Sequence, residues 1–341
     1  MKRPTLRDVA ERAGVSVSAV SYALNENSDF PLAERTRSRI RRIAREIGYV
    51  PNSLARSLRQ RAARLIGVIL DKPLAYPRYA AIADGLAQGV AAEGYQLMFL
   101  ATRDHLAGVD AVRSGQLDGL VFVGHDDHAV PDDLARAIAE HDIPFGAIDC
   151  GSADVAYSTV DFDYARGVQL VVERLVADGV RTVHYVRPEI ASHAERVREQ
   201  AMFRELAAHP DVAVHVLQTT ITSASLAAID ASETGIDHRA DLARRIGELL
   251  DARAAPPDTT AFVCSWGADV ETVFATARAR DPRCRVVGLA AGALDPALWP
   301  GVSYASLPLA EGGRACAGLV VVAARDGSAP EHLLLAPTLV G

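Results

Sequence analysis

From Leu65 onward the chain alternates short, continuous apolar runs with stretches of helical periodicity. Leu65-Ile66-Gly67-Val68-Ile69-Leu70 is the first such run. A strand with one solvated face alternates apolar and polar residues. A run this continuous suits a strand covered on both faces, as in a parallel sheet. The spacing predicts a helix over 82–93, a strand over 96–100, a helix over 109–114, a strand over 119–123, a helix over 132–141 and a strand over 145–148. The alternation then repeats, with helices over 164–178, 196–208, 241–252 and 269–280 and strands over 182–186, 212–217, 260–264 and 285–289. Parallel strands need a crossover, usually a helix, so each series implies a doubly wound α/β lobe. Such sheets bind ligands outside the carboxyl ends of their strands, which makes a cleft between the lobes the expected small-molecule site. The chain is expected to cross between lobes near 149–163, 288–295 and 303–310.

The first 64 residues have a different texture. They carry 14 Lys/Arg against 6 Asp/Glu, a net of +8, whereas the remainder carries 22 against 37, a net of −15. Lys2 and Lys72 are the only lysines, which fits a general preference for arginine. The segregation of charge points instead to a polyanion partner for the arm alone. Leu6, Val9, Ala10 and Ala13 form one apolar stripe, with Thr5 and Asp8 placed as a capping box and Gly14 as an αL stop. After Val15, Ser16 can cap a second helix over 17–25, with Val20, Ala23 and Leu24 inward and Val17, Ser18, Ser21, Tyr22 and Asn25 outward. Two short helices joined by a tight glycine turn form a helix-turn-helix. Ile40, Ile43, Ala44 and Ile47 define a third helix, whose outer face is expected to carry Arg35, Arg37, Arg39, Arg41, Arg42 and Arg45. A charged helical face can be merely solvated. The polar second helix, the arginine-rich third and the charge segregation together favour DNA binding.

Several classes are excluded. The composition, 49% hydrophobic and 23% charged, is that of a globular protein. No run of 18 apolar residues predicts a transmembrane helix, and the basic start lacks the apolar segment of a secretory signal, so a cytoplasmic location is expected. Cys150, Cys264, Cys284 and Cys316 are scattered without a CxxC pair, which implies free thiols and no zinc site. No GxGxxG after a strand, no GxxxxGK[ST] and no GxSxG occurs, and His184 and His193 have no nucleophile motif beside them. Neither an enzyme nor a cofactor is indicated.

The runs TLRDVAERAGVSVSAVSYALN and GYVPNSLARSLR resemble the lactose/galactose repressor (LacI/GalR) family, and the likeness extends less sharply down the chain. It implies an all-α helix-turn-helix DNA-binding domain over 1–50, a hinge helix or linker over 51–63, and a two-lobed, doubly wound α/β, periplasmic-binding-protein-like effector and dimerisation domain over 64–341. Thr5, Ser16, Ser21 and Asn25 would then contact phosphates, and Val17, Ser18 and Tyr22 would face base edges. Ala33 departs from the family's usual Ser or Thr cap, a loss of about 1 kcal/mol. In the hinge, Asn52 can cap a helix too short to be stable alone, with Leu54, Ala55 and Leu58 on one face. The resemblance makes Leu58 an apolar wedge in the minor groove, with Arg56, Arg59, Arg61 and Arg64 near phosphates.

In the cleft, the resemblance points to Asp71, Tyr76, Tyr79, Asp163 and Arg198, the tyrosines as stacking surfaces. Arg198 can grip a carboxylate or diol bidentately, or be a solvated helix arginine. The family's Asn-Asp is Trp266-Gly267 here, its Gly-Phe-Asp is Gly288-Leu289-Ala290, and its Gln is Leu307. Trp266 can stack on a ligand or pack in a core. A more apolar second-lobe lining is therefore expected, formed by Trp266, Leu289, Ala290 and Leu307. It suits a sugar derivative or another small polar or aromatic metabolite better than a free hexose. The function expected is a homodimeric transcription regulator, a repressor of a palindromic double-stranded DNA operator, with a small-molecule effector and no membrane partner. The alternative is a cytoplasmic small-molecule-binding protein or cryptic enzyme with a non-specific basic arm.

Overall fold

A computed structural model describes the chain except for residues 1–3, 25–29, 50–61, 73, 75, 101–103, 125–128, 152–154, 191, 223–233, 253–258 and 291–298, and describes the backbone alone at 234–237 and 268. The chain divides into two compact units, Met1–Ala63 and Arg64–Gly341. Hinge residues Asn52, Ala55 and Leu58, and Asn25, lie outside the described residues.

The first unit holds α1 (Leu6–Ala13), α2 (Val17–Leu24) and α3 (Glu34–Glu46). Thr5 and Asp8 form the capping box at α1, and Gly14 takes φ +62°, a conformation that favours glycine and turns the chain into α2. Ser16 Oγ accepts from the Ala19 amide at 3.1 Å, opening α2. Val9, Ala10, Val20, Ala23, Ile40 and Ile43 close a core between the three helices. Ala33 caps α3 without a side-chain hydrogen bond, as its methyl group dictates.

Among the described residues, the second unit contains two six-stranded sheets. The first lobe is built on β1 (Leu65–Ile69), β2 (Gln96–Leu100), β3 (Gly119–Val123), β4 (Phe145–Ile148), β5 (Ser158–Phe162) and β11 (His332–Leu335), in the order β11-β5-β4-β3-β1-β2 and all parallel. The second lobe uses β6 (Thr182–Glu189), β7 (Ala213–Thr222), β8 (Thr260–Cys264), β9 (Arg285–Gly288), β10 (Val302–Ser306) and β12 (Thr338–Val340), in the order β12-β10-β9-β8-β6-β7, with only β12 antiparallel. The helices are α4 (Pro77–Ala92), α5 (Leu106–Arg113), α6 (Asp132–Glu140), α7 (Tyr164–Ala177), α8 (His193–Ala207), α9 (Thr234–Asp251), α10 (Gly267–Arg280) and α11 (Leu309–Asp326).

The strands over Leu65–Ile148 lie where the apolar runs predicted them. The strands β5, β10, β11 and β12 and the helix α11 were not anticipated; the crossings expected near 149–163 and 303–310 occur. The first crossing lies at Asp163, between β5 and α7. The expected crossing at 288–295 does not occur, because β9 and β10 pair in one sheet, Gly288 opposite Tyr304. The chain returns to the first lobe at Leu307–Pro308, and a further crossing at Ala336–Pro337 joins β11 to β12. The return helix α11 packs tightly on α4. A Cβ at Gly85 would sit 2.0 Å from the Ala310 carbonyl oxygen, and one at Gly313 2.3 Å from that of Ile82, so glycine is required for this approach.

Candidate functional site

In the first unit, α2 leaves Val17, Ser18 and Tyr22 exposed and Ser21 half-buried, because its apolar stripe is taken by Val20 and Ala23. Thr5 and Ser16 are exposed but engaged in capping. The arginines of α3 do not share one face. Arg41 Nε donates to the Ala23 carbonyl at 3.1 Å and Arg37 Nη2 to that of Phe30 at 3.3 Å, so both tie α3 to the end of α2 and the segment after it. A cation at a helix C-terminus satisfies an unpaired carbonyl and the helix dipole together. Arg35, Arg39, Arg42 and Arg45 remain exposed. No local signal in the sequence marked Phe30, whose ring stacks on Tyr22 with centroids 4.3 Å apart.

In the second unit, the predicted cleft residues lie at the carboxyl ends of the two sheets and on the helices that follow. Asp71 is exposed, 3.3 Å from His105 Nε2. Tyr76 is exposed at the start of α4 and meets Tyr79 edge-on at 6.3 Å. Tyr79 is itself buried in the first-lobe core, on the stripe it shares with Ile82 and Leu86, so Tyr76 carries the open ring. Asp163 spends Oδ1 on the Arg166 amide at 2.8 Å, capping α7 at the crossing.

Arg198 is not a solvated helix arginine: it is 1% exposed. Its Nη2 lies 3.2 Å from Glu195 Oε2, and its guanidinium carbon sits 5.0 Å over the Tyr164 ring. The Tyr185 hydroxyl donates to Glu195 at 3.0 Å; burial and then that carboxylate push it up, so it stays protonated. On the first-lobe side, Tyr164 donates to Asp149 Oδ1 at 2.7 Å and accepts from Arg78 Nη2 at 2.8 Å, while Arg78 also pairs with Asp149. A continuous polar chain thus runs Arg78–Asp149–Tyr164–Arg198–Glu195–Tyr185 from one lobe to the other. A ligand carboxylate held by Arg198 would share the guanidinium with Glu195. Tyr164, Asp149 and Arg78 were missed because their partners are up to 86 residues apart in sequence.

The second-lobe lining differs from the expected apolar one. Leu289 lies in the second-lobe core and Leu307 in the first-lobe core, leaving Trp266 and half-buried Ala290. Trp266 packs against Ile190 and Ile221 at the start of α10. Ser265 and Asp269, 0% and 1% exposed, supply polar groups beside it. Among the described residues, Ser265 Oγ, Trp266 Nε1 and Asp269 Oδ2 have no hydrogen-bond partner, a cost of about 1–3 kcal/mol each that a bound hydroxyl or amide would relieve. The other oxygen of Asp269 is held by His238 Nε2 at 2.8 Å, whose Nδ1 meets Thr220 Oγ1 at 3.0 Å. Among the described residues no group of three or more His, Cys, Asp or Glu side chains could hold a metal ion.

The family model described as bacterial regulatory proteins, lacI family, matches residues 5–52. The HTH-type transcriptional regulator PtxS of Pseudomonas aeruginosa is 30% identical over 328 residues, covering 92% of this chain and 86% of that protein. Among solved structures, a lac repressor dimer bound to operator and the anti-inducer ONPF aligns with TM-score 0.75 and 20% identity, over 100% of this chain and 98% of the other. A complex of the transcriptional regulator CelR with cellobiose aligns with TM-score 0.62 and 23% identity, over 99% of each chain.

Proposed function

Because the chain belongs to the lacI family of bacterial regulatory proteins, we propose that it represses transcription as a homodimer on a palindromic operator, under control of a small molecule in the cleft of the Arg64–Gly341 unit. It is a transcription regulator, and its relatives are regulators rather than enzymes, so the alternative of a cryptic enzyme with a non-specific arm is not favoured. The observation that carries the reading is the exposed face of α2, held in a helix-turn-helix on the same chain as a two-lobed α/β body.

Residues 1–50 form the DNA-binding domain, 51–63 the hinge and 64–341 the effector and dimerisation domain. A two-fold dimer presents two recognition helices, which calls for a palindromic site. Val17, Ser18 and Tyr22 face base edges, while Thr5, Ser16, Ser21 and Asn25 reach phosphates. Asn52, Ala55 and Leu58 belong to a hinge helix whose Leu58 wedges into the minor groove. Asp71, Tyr76, Asp163, Arg198, Trp266 and Ala290 line the effector cleft, with Tyr79 supporting Tyr76 from the core. The effector is a small polar metabolite such as a sugar or sugar derivative, in keeping with the lac repressor and CelR complexes. Its action is differential: it favours one degree of lobe closure and thereby changes the spacing of the paired hinges. The protein works in the cytoplasm; among the described residues no helix is long and apolar enough to cross a membrane. The test is a gel-shift titration on the DNA upstream of the chain's own gene, with and without ligands found by thermal shift. Tight, palindrome-dependent binding released or strengthened by a ligand is expected, and weak binding without sequence preference would overturn it.

A further inference from the structure

The recognition helix α2 reads VSAVSYAL, without one Arg, Lys, Asn or Gln. The bidentate pairs that identify guanine and adenine, Arg or Lys on guanine and Asn or Gln on adenine, therefore cannot come from this helix. Beside the hydroxyls of Ser18 and Tyr22, what it exposes is apolar surface. Val17 is 44% exposed and Tyr22 40%, and Phe30, 45% exposed, stands beside Tyr22. Tyr22 and Phe30 stack with centroids 4.3 Å apart and planes 8° from parallel, so the Tyr22 ring is held flat against its neighbour. Phe30 is itself fixed from behind, since Arg37 of α3 donates to its carbonyl oxygen at 3.3 Å.

The major groove offers one apolar feature to such a surface, the C5-methyl group of thymine. We propose that this protein reads its operator half-site through thymine methyl groups packed against Val17 and the Tyr22–Phe30 stack, with Phe30 the positioning residue that sets the Tyr22 ring. The inference rests on α2 being the DNA-reading helix. It adds the chemical class of base feature that the helix recognises and a residue beyond the helix that governs it.

The test selects binding sites for the full chain from a random duplex library. Thymines facing α2 in the selected site are then replaced by deoxyuridine, which keeps base pairing and every hydrogen-bonding edge and removes only the methyl group. Selected half-sites are expected to carry thymine opposite α2. Burying one methyl group is worth about fourfold in affinity, so a palindrome losing one per half-site should bind about 15-fold more weakly. Phe30→Ala should bring the thymine-to-uracil ratio close to one at the thymines facing Tyr22 while leaving it unchanged at those facing Val17, and Phe30→Tyr, which keeps the stack, should preserve it at both. A purely structural role for Phe30 would lower affinity for both duplexes and leave the ratio unchanged. A selected site that wild-type protein binds equally with thymine or uracil overturns the proposal and leaves the DNA-binding reading intact, as do half-sites with G·C pairs alone opposite α2. Failure to select any sequence overturns both.

Discussion

Replacing Tyr164 with Phe removes a single oxygen from the middle of the polar chain that joins the two lobes. The ring stays, and with it the surface over which Arg198 sits at 5.0 Å and the packing within the first-lobe core. Two hydrogen bonds go, the 2.7 Å bond donated to Asp149 and the 2.8 Å bond accepted from Arg78. Hydrogen bonds to charged groups contribute about 1.5–3 kcal/mol each. The ion pair between Arg78 and Asp149 survives, so neither charge is left alone, and the net cost should be nearer one such bond than two, about 2 kcal/mol. For a unit of this size that lowers Tm by about 3–4 °C. Thermal unfolding of Tyr164→Phe beside wild type, supported by urea titration at an unchanged m-value, measures it. A stability within 0.5 kcal/mol of wild type would refute the reasoning and mean that Asp149 and Arg78 lose nothing when the hydroxyl is removed.

Arg198→Ala should destabilise the second unit by about 3–5 kcal/mol in a urea titration, because Glu195, 1% exposed, loses its cation; a loss under 1 kcal/mol would contradict this. His184, 8% exposed and stacked on Phe262, has its pKa lowered to about 4 by burial and then by His215. A depressed histidine stabilises fully above the unfolded pKa of about 6.5, and that contribution is lost as pH falls from there toward 4, reaching about 2 kcal/mol at pH 5. The stability of His184→Phe should therefore fall less steeply than wild type between pH 7 and 5, and parallel curves would count against the assignment. Leu58→Ala should weaken operator binding by about 1–3 kcal/mol while leaving unfolding within about 0.5 kcal/mol, and unchanged affinity in a gel shift would remove the wedge role. Trp266→Ala should abolish the thermal shift given by a ligand that stabilises wild type, and a retained shift would place that ligand elsewhere.

Much of the fold was legible because it rests on local signals. The run Leu65–Leu70 is typical of a buried strand, and Thr5, Asp8, Gly14 and Ser16 mark helix ends by chemistry that acts within four residues. What stayed hidden depends on distant partners. β11 is a half-exposed strand that exists because it pairs with β5, His332 opposite Thr159, and nothing in residues 332–335 announces that pairing. The missed crossing at Ala336–Pro337 follows from the same cause. In the cleft, motif position located Arg198 and Trp266, and Asp269 was in view as a polar group beside them; Glu195, one turn from Arg198 on the same helix, went unread, and His238 became visible only when two helices brought it to Asp269. On α3, periodicity distinguished buried from exposed faces but not Arg37 and Arg41, which lie at the edge and turn back onto carbonyl groups.

The central claim is that this chain regulates transcription by recognising a specific DNA sequence. Equilibrium binding of the full-length protein to its selected palindrome and to a scrambled duplex of equal length, at a fixed physiological salt concentration, tests it most directly. A preference of about a thousandfold or more for the palindrome is expected, with one dimer bound per site. Equal affinity for the two duplexes would contradict it.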